Sequence, residues 1–453
     1  MRNSSAPLFQ KVDWMSFWIA AGLSFIVFLF TLIPDVDLEF SGVFATSGMY
    51  LGVPNPPAYP LWTFYSFLFV HLVPLFNVGW RVALATAVAS ALACGMIALM
   101  VSRIGVMAAE NIRGFCELSF KEQTAFRIVC GAVAGVGFGL DGCFWGRAVV
   151  GDQWNFNVSL FALVLCLLAR WFFVPKDTRY LYLAALTEGL LLSDSQAFLP
   201  TALAVPFLLA LGSPKLGREI FFLLTVFFCS VMIADHYLNW FDTWLNTSAR
   251  VCEISASVLV GLFWIVLCII TRGFFSEWKT SISVAILFFA GLIPSLLLPI
   301  FSMADPPMNW GYPRTVEGFF HVIERGQYGS FDFTENSSLW LSQWTIYGKI
   351  AVEQFGVVYL AAAAIPLLLL NKLSSLVRRW ILALTVVWFL VTQLMLMALD
   401  ISLEKSSYEL GELFFSATHL VLALLGGCGF MLAGVYCAHL ARNKPLPLPR
   451  PKS

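Results

Sequence analysis

Charge is scarce in this sequence. Asp, Glu, Lys and Arg together make up 12% of it, against 59% hydrophobic residues and a mean hydropathy of +0.81. That leaves too little polar surface to cover a water-soluble globule. Paired thiols are missing as well: no C-x-x-C occurs among the 10 cysteines. Most of them lie in apolar runs, where a thiol behaves as a small apolar side chain. The histidines, His71, His236, His321, His419 and His439, share no ligand spacing, so no histidine metal centre is expected. Basic residues are spread thinly rather than gathered in a patch, which argues against nucleic acid as a partner.

What the sequence has in abundance is long apolar runs. A bilayer core of roughly 30 Å takes about 20 apolar residues per helix. Candidate spans fall near 14–34, 81–103, 126–145, 155–174, 180–194, 196–212, 219–238, 251–271, 281–301, 356–371, 380–400 and 413–440. The expected fold is therefore all-α, a polytopic integral membrane protein of about twelve helices. The runs 180–194 and 196–212 are short and read as tilted helices or a broken pair. The first run is too long for a signal peptide and ends in Pro34-Asp35, so no cleavable leader is expected.

Lysine and arginine orient the chain, because they resist translocation. With both termini cytoplasmic, the outer side keeps only Arg81, Arg147, Arg250, Arg314, Arg325, Lys349 and Lys405 of the 27 basic residues. Two outer segments are long, 35–80 and 302–355, and long ordered loops are usually functional. Within the first, 59–76 is apolar but short and contains His71 and Pro74. It reads as a helix lying at the outer interface. The transmembrane domain is expected to run over 1–440, with 441–453 a basic, proline-rich cytoplasmic tail.

Three acids alternate at the outer end of the first span: Asp35, Asp37 and Glu39. In an extended chain that spacing puts them on one side. Held together they would raise one another's pKa and serve as a general base or as a cradle for a divalent cation. The other reading is a set of solvated loop acids.

The blocks "LEFSGVFATSGMYLGVPNPPAYPLW", "NVGWRVALATAVASALACGMIALMVSR", "FWGRAVVGDQWNFNVSLFALVLCLL" and "NWGYPRTVEGFFHVIERGQY", in that order, resemble the bacterial membrane-protein family called domain of unknown function 2723. That family is related to the eukaryotic transmembrane protein O-mannosyltransferases and is placed in the GT-C glycosyltransferase superfamily. The resemblance implies a GT-C-like fold in a bacterial inner membrane. It also implies a sugar donor carried on a polyprenyl phosphate, and an acid just past the first helix that activates the acceptor. Both acceptor and sugar stay open. Where many relatives read Asp-Ser-Gly-Glu, this chain has Phe40 and Val43 in place of the two acids, which leaves Glu39 as the candidate base with Asp37 and Asp35 behind it. The family's His-Pro-Pro-Gly-Tyr-Pro stands here as Asn55, Pro56, Pro57, Ala58, Tyr59 and Pro60, and Ser195 stands where histidine is usual.

Other candidates follow from placement. Asp152 is either a second acid near Glu39 or a helix-start aspartate. Arg147 precedes it by five residues on a side poor in basic groups and suits a phosphate. Glu188 and Asp194 are acids within or beside apolar runs, which are functional suspects unless buried in protein and hydrogen-bonded. In the second outer segment Asn309, Trp310, Arg314, Arg325 and Tyr328 combine aromatic faces with guanidiniums, as a sugar on a phosphate would need; an interfacial aromatic belt is the alternative. Three function classes stay open: a lipid-linked sugar transferase, a catalytically inactive relative, and a transporter or lipid-binding scaffold.

Overall fold

The computed structural model describes residues 7–112, 115, 117–238, 247–325, 337–399 and 411–443. Among them the regular structure is helical, with no strand beyond one isolated bridge. The chain is an all-α polytopic membrane protein: among the described residues nine helices are long and apolar enough to cross a membrane, or ten if one sharply bent pair is a single span.

The helices are α1 Lys11–Phe30, α2 Ser41–Tyr50, α3 Pro60–Leu72, α4 Val78–Ala109, α5 Phe120–Gly139, α6 Gly142–Ala148, α7 Trp154–Phe173, α8 Arg179–Asp194 and α9 Leu199–Gly212. They continue with α10 Pro214–Leu238, α11 Thr247–Thr271, α12 Trp278–Gly291, α13 Leu297–Met303, α14 Val316–Ile323, α15 Ser337–Leu368, α16 Ser375–Leu399 and α17 Ser416–Asn443. Among the described residues each of the twelve apolar runs is mainly helical, though 14–34 outlasts α1 and 126–145 is broken at 140–141. The runs 180–194 and 196–212 stay short of a full span, and α5 with α6 is the bent pair, turned by 73°.

The second long segment, 302–355, holds more helix than its composition implies. Helix α15 already begins at Ser337, although 337–355 reads as loop because Gln343, Lys349 and Glu353 interrupt the apolar pattern. Gly356, at φ +72, breaks α15 where the apolar run starts. In the first segment α3 has 13 residues, about 20 Å of helix and too little to cross the bilayer.

Helices α4 and α17 form the centre, buried along most of their length. Small residues allow the helices to approach, as membrane packing requires. A methyl group at Gly135 of α5 would strike the Cys94 carbonyl of α4, and one at Gly189 of α8 would strike the Phe288 carbonyl of α12. Helix α11 lies at the periphery and exposes Val258, Leu262, Ile265 and Ile269, an apolar face suited to lipid. At one end of the bundle Asp13 of α1 is fully buried against Arg127 of α5 at 2.7 Å, with Ser102 of α4 donating to the same oxygen at 2.6 Å. The candidate site lies elsewhere, past the end of α1 and at the end of α6.

Candidate active site

The chain leaves α1 through Thr31 and meets the turn that follows α6. Ile33 N–H donates to the Val149 carbonyl at 3.0 Å, and Trp145 Nε1 donates to Thr31 Oγ1 at 3.0 Å. These contacts set α6 beside the first outer segment. Arg147 in the last turn of α6 then reaches both acids that placement had singled out. Its Nη1 lies 2.8 Å from Glu39 Oε2 and 3.0 Å from Asp152 Oδ2.

The two carboxylates are held differently. Asp152 is 7% exposed and its Oδ1 accepts from Trp154 N–H at 2.8 Å, at the start of α7. Its backbone pairs with Thr86 Oγ1 of α4 at 3.2 Å in both directions. Burial pushes its carboxyl above the usual aspartate range, with the Arg147 charge and the Trp154 N–H pulling back. Glu39 has a side chain 60% exposed. Arg147 is thus anchored on a buried acid and shared with an exposed one. The positive charge between the two carboxylates comes from the guanidinium, and among the described residues no group of three or more His, Cys, Asp or Glu gathers as a metal site.

Asp35 and Asp37 do not join this cation. The chain turns there instead of running extended, so alternation does not put the acids on one face. Asp35 Oδ1 takes the neighbouring Val36 N–H at 2.8 Å. Asp37 Oδ1 accepts from Ser41 Oγ at 2.5 Å and from Glu39 N–H at 3.1 Å, starting α2.

The proline cluster is a buried joint. Asn55, Pro56, Pro57 and Tyr59 are all buried, and Ala58 and Tyr59 have φ of +74° and +41°. Ala58 holds a backbone conformation that favours glycine, the residue the resemblance leads one to expect there. Tyr59 packs edge-on against Phe44 of α2, their centroids 5.7 Å apart. Helix α3 begins next, and Tyr59 at its N-cap makes no capping bond. Asp194 supplies it from across the fold: its Oδ1 accepts from Leu61 N–H at 2.9 Å and Trp62 N–H at 3.0 Å, and its Oδ2 from Asn157 Nδ2 at 2.9 Å. Ser195 beside it is buried, and Gln196 Nε2 donates to the Ile323 carbonyl of α14 at 2.5 Å. Glu188, also buried, accepts from Thr201 Oγ1 at 2.7 Å. These acids have protein partners, as buried helix neighbours would.

The second outer segment meets the first at Val53, away from Glu39. Val53 N–H donates to the Met308 carbonyl at 2.8 Å and Trp310 N–H to the Val53 carbonyl at 2.9 Å, a parallel bridge between Val53 and Asn309. Asn309 Nδ2 turns back to the Ser302 carbonyl at 3.1 Å, while Trp310 stays 43% exposed. Arg314 lies 3.4 Å from Asp305 and over the Tyr312 ring, within its own segment. Arg325 follows α14 with φ +56. Tyr328 lies outside the described residues.

Sequence reasoning did not single out Asp141 and weighed His419 only as a histidine without ligand spacing; the two form a buried pair 3.1 Å apart. The Asp-Gly at 141–142, a helix-start signal, was available for the first; nothing local pointed to the second.

Residues 41–216 match the family described as Protein O-mannosyl-transferase TMEM260 N-terminal domain. A Protein O-mannosyl-transferase tmem260 of Dictyostelium discoideum is 22% identical over 358 residues. This chain is similar to protein O-mannosyl-transferases. The alignment covers 76% of this chain and 35% of that relative, so the chain spans about a third of its length. The family match contains Arg147, Asp152 and Asp194 but starts two residues beyond Glu39 and ends before the second outer segment. No solved structure matches.

Proposed function

We propose that the chain is a membrane glycosyltransferase that moves a sugar from a polyprenyl-phosphate donor to an acceptor hydroxyl. The relative's name supports mannose as the sugar and a protein as the acceptor. The observation that carries the reading is one guanidinium shared between a buried carboxylate and an exposed one. In this reading the donor phosphate takes the place of Glu39 on Arg147, and Asp152 keeps the guanidinium oriented. Glu39, released, accepts the acceptor's proton as the hydroxyl oxygen attacks the anomeric carbon. The bond from that carbon to the phosphate oxygen breaks, and Arg147 meets the charge left on the phosphate. The site would lie on the outer face, with both termini cytoplasmic and the lipid tail of the donor in the bilayer.

The test is turnover of polyprenyl phosphate mannose by the full chain in nanodiscs, with other polyprenyl-phosphate sugars alongside. Glu39→Gln is expected to lower kcat by at least a hundredfold while donor binding survives, because the charge is lost and the shape kept. Arg147→Lys is expected to weaken both, since a shorter, more strongly hydrated ammonium lacks the further N–H donors that the rigid guanidinium fork would turn to the phosphate. A Glu39→Gln protein with wild-type kcat would move the base elsewhere. A wild-type chain that turns over none of the sugars would sink the reading.

A further inference from the structure

Helix α6 carries Arg147 but has only seven residues, and a helix that short does not hold its own direction. Its N-cap is Asp141, 1% exposed, whose Oδ1 accepts from Cys143 N–H and Phe144 N–H, both at 3.1 Å. Oδ2 of the same carboxylate lies 3.1 Å from Nδ1 of His419, which is also 1% exposed. A carboxylate can only accept, so Nδ1 carries the proton, while Nε2 is buried and has no partner. A serine would cap α6 as well as an aspartate does. What the aspartate adds is a tether to another helix.

That tether is firmly held at its far end. The His419 ring sits edge-on to Phe355 at 5.3 Å and 6.4 Å from the Tyr347 ring. The Tyr347 hydroxyl is bonded to Thr418 Oγ1 at 3.2 Å and to Trp388 Nε1 at 2.7 Å. The break in α15 at Gly356 adds a third element, since Gln354 Oε1 accepts from Cys143 N–H at 3.3 Å. Glu412 and Glu353 face the same cluster. Burial pushes Glu412 up, its bond from Gln354 and the nearby His419 oppose this, and the charges of Glu353 and Asp141 add to it. Asp141 is the N-cap of α6 and Arg147 stands in its last turn, so the buried pair and the Arg147 centre lie at opposite ends of one short helix. Asn155 Nδ2 of α7 donates to the Phe144 carbonyl at 2.9 Å and secures the middle.

We infer that Asp141 and His419 are positioning residues for the Arg147 centre, acting through α6 by tying its first turn to α17. This rests on reading that centre as the place where the donor phosphate is met. Two replacements separate the tether from the cap. Asp141→Ser keeps a cap but cannot reach His419; His419→Leu keeps bulk but cannot donate. His419→Asn, whose amide nitrogen stands near the Nδ1 position, is the conservative variant. In nanodiscs, hydrogen exchange of residues 142–148 is expected to quicken at least tenfold in Asp141→Ser and His419→Leu, with α4 unchanged and with His419→Asn close to wild type. With polyprenyl phosphate mannose, kcat is expected to fall at least tenfold in the first two, with KM within threefold, and to recover in the third. Wild-type protection of α6 in Asp141→Ser would overturn the inference, as would faster exchange spread equally through α4. Should the wild-type chain show no turnover, the transferase reading falls and the exchange measurement still decides this one.

Discussion

At the level of single residues, the candidate site is a division of labour between two acids. Glu39 is exposed and Asp152 is not, although both touch the same guanidinium. The difference comes from their settings. Asp152 opens a helix and is pinned by Trp154 and Thr86, whereas Glu39 lies in a turn with exposed Leu38 and Phe40 beside it. Asp152 carries a pH signature of known sign. Its carboxyl is raised by burial, so the folded chain binds that proton more tightly than the unfolded chain does. Its buried charge therefore costs stability above the raised value, and this cost is relieved as pH falls through it. Asp152→Asn removes the charge. On lowering the pH from neutral, wild-type protein is expected to gain stability relative to Asp152→Asn, as read by the midpoint of thermal unfolding in nanodiscs at a series of pH values. At neutral pH the same variant is expected to lose turnover, because Arg147 keeps only its exposed partner. Parallel midpoints for the two proteins at every pH would contradict the role of burial.

At the level of elements, short helices are the ones that need help from distant side chains. Helix α3 begins behind a buried proline joint whose own N-cap makes no capping bond, and Asp194 caps it from the end of α8. A buried carboxylate accepting three N–H groups is worth more than an ordinary cap. Asp194→Ala is expected to destabilise the protein by about 2–3 kcal/mol, mainly by leaving buried donors unsatisfied, and to expose the first turn of α3 to hydrogen exchange. Exchange at residues 61–63 that stays at the wild-type rate would show that the cap is dispensable. The same physics explains the polar segment 193–196: it ties α3, α7 and α14 together through Asp194 and Gln196. Gly311 serves this region through shape alone. Its φ is +69, and a side chain there would strike Val322 of α14.

At the level of the whole molecule, the prediction is topological. If lysine and arginine set the orientation, α2 lies outside and the start of α5 inside. In a background freed of the native cysteines, Thr46→Cys is expected to react with an impermeant maleimide added to intact cells, and Ser119→Cys only after permeabilisation. The reverse pattern would invert the chain and move the Glu39–Arg147–Asp152 centre to the other side of the membrane. The outcome bears directly on the proposed reaction, in which a polyprenyl-phosphate headgroup would meet Arg147 at that surface.

The solvent, the fold class and the helical runs were legible in the sequence, because apolar content and run length are local quantities that a bilayer reads directly. So was the placement of three residues that the structure brings together: Glu39 stands just past the first span, and Arg147 and Asp152 stand five residues apart. The tertiary structure decided which polar groups meet. Glu39 and Arg147 are 108 residues apart, Asp194 and Leu61 are 133 apart, and His419 and Asp141 are 278 apart. It also turned Asp35 and Asp37 away from the cation, because the chain bends into α2 instead of running extended. A buried polar group must find a partner wherever packing places one. That placement depends on which helices can approach closely at small residues such as Gly135 and Gly189, a property of helix pairs that no single segment carries.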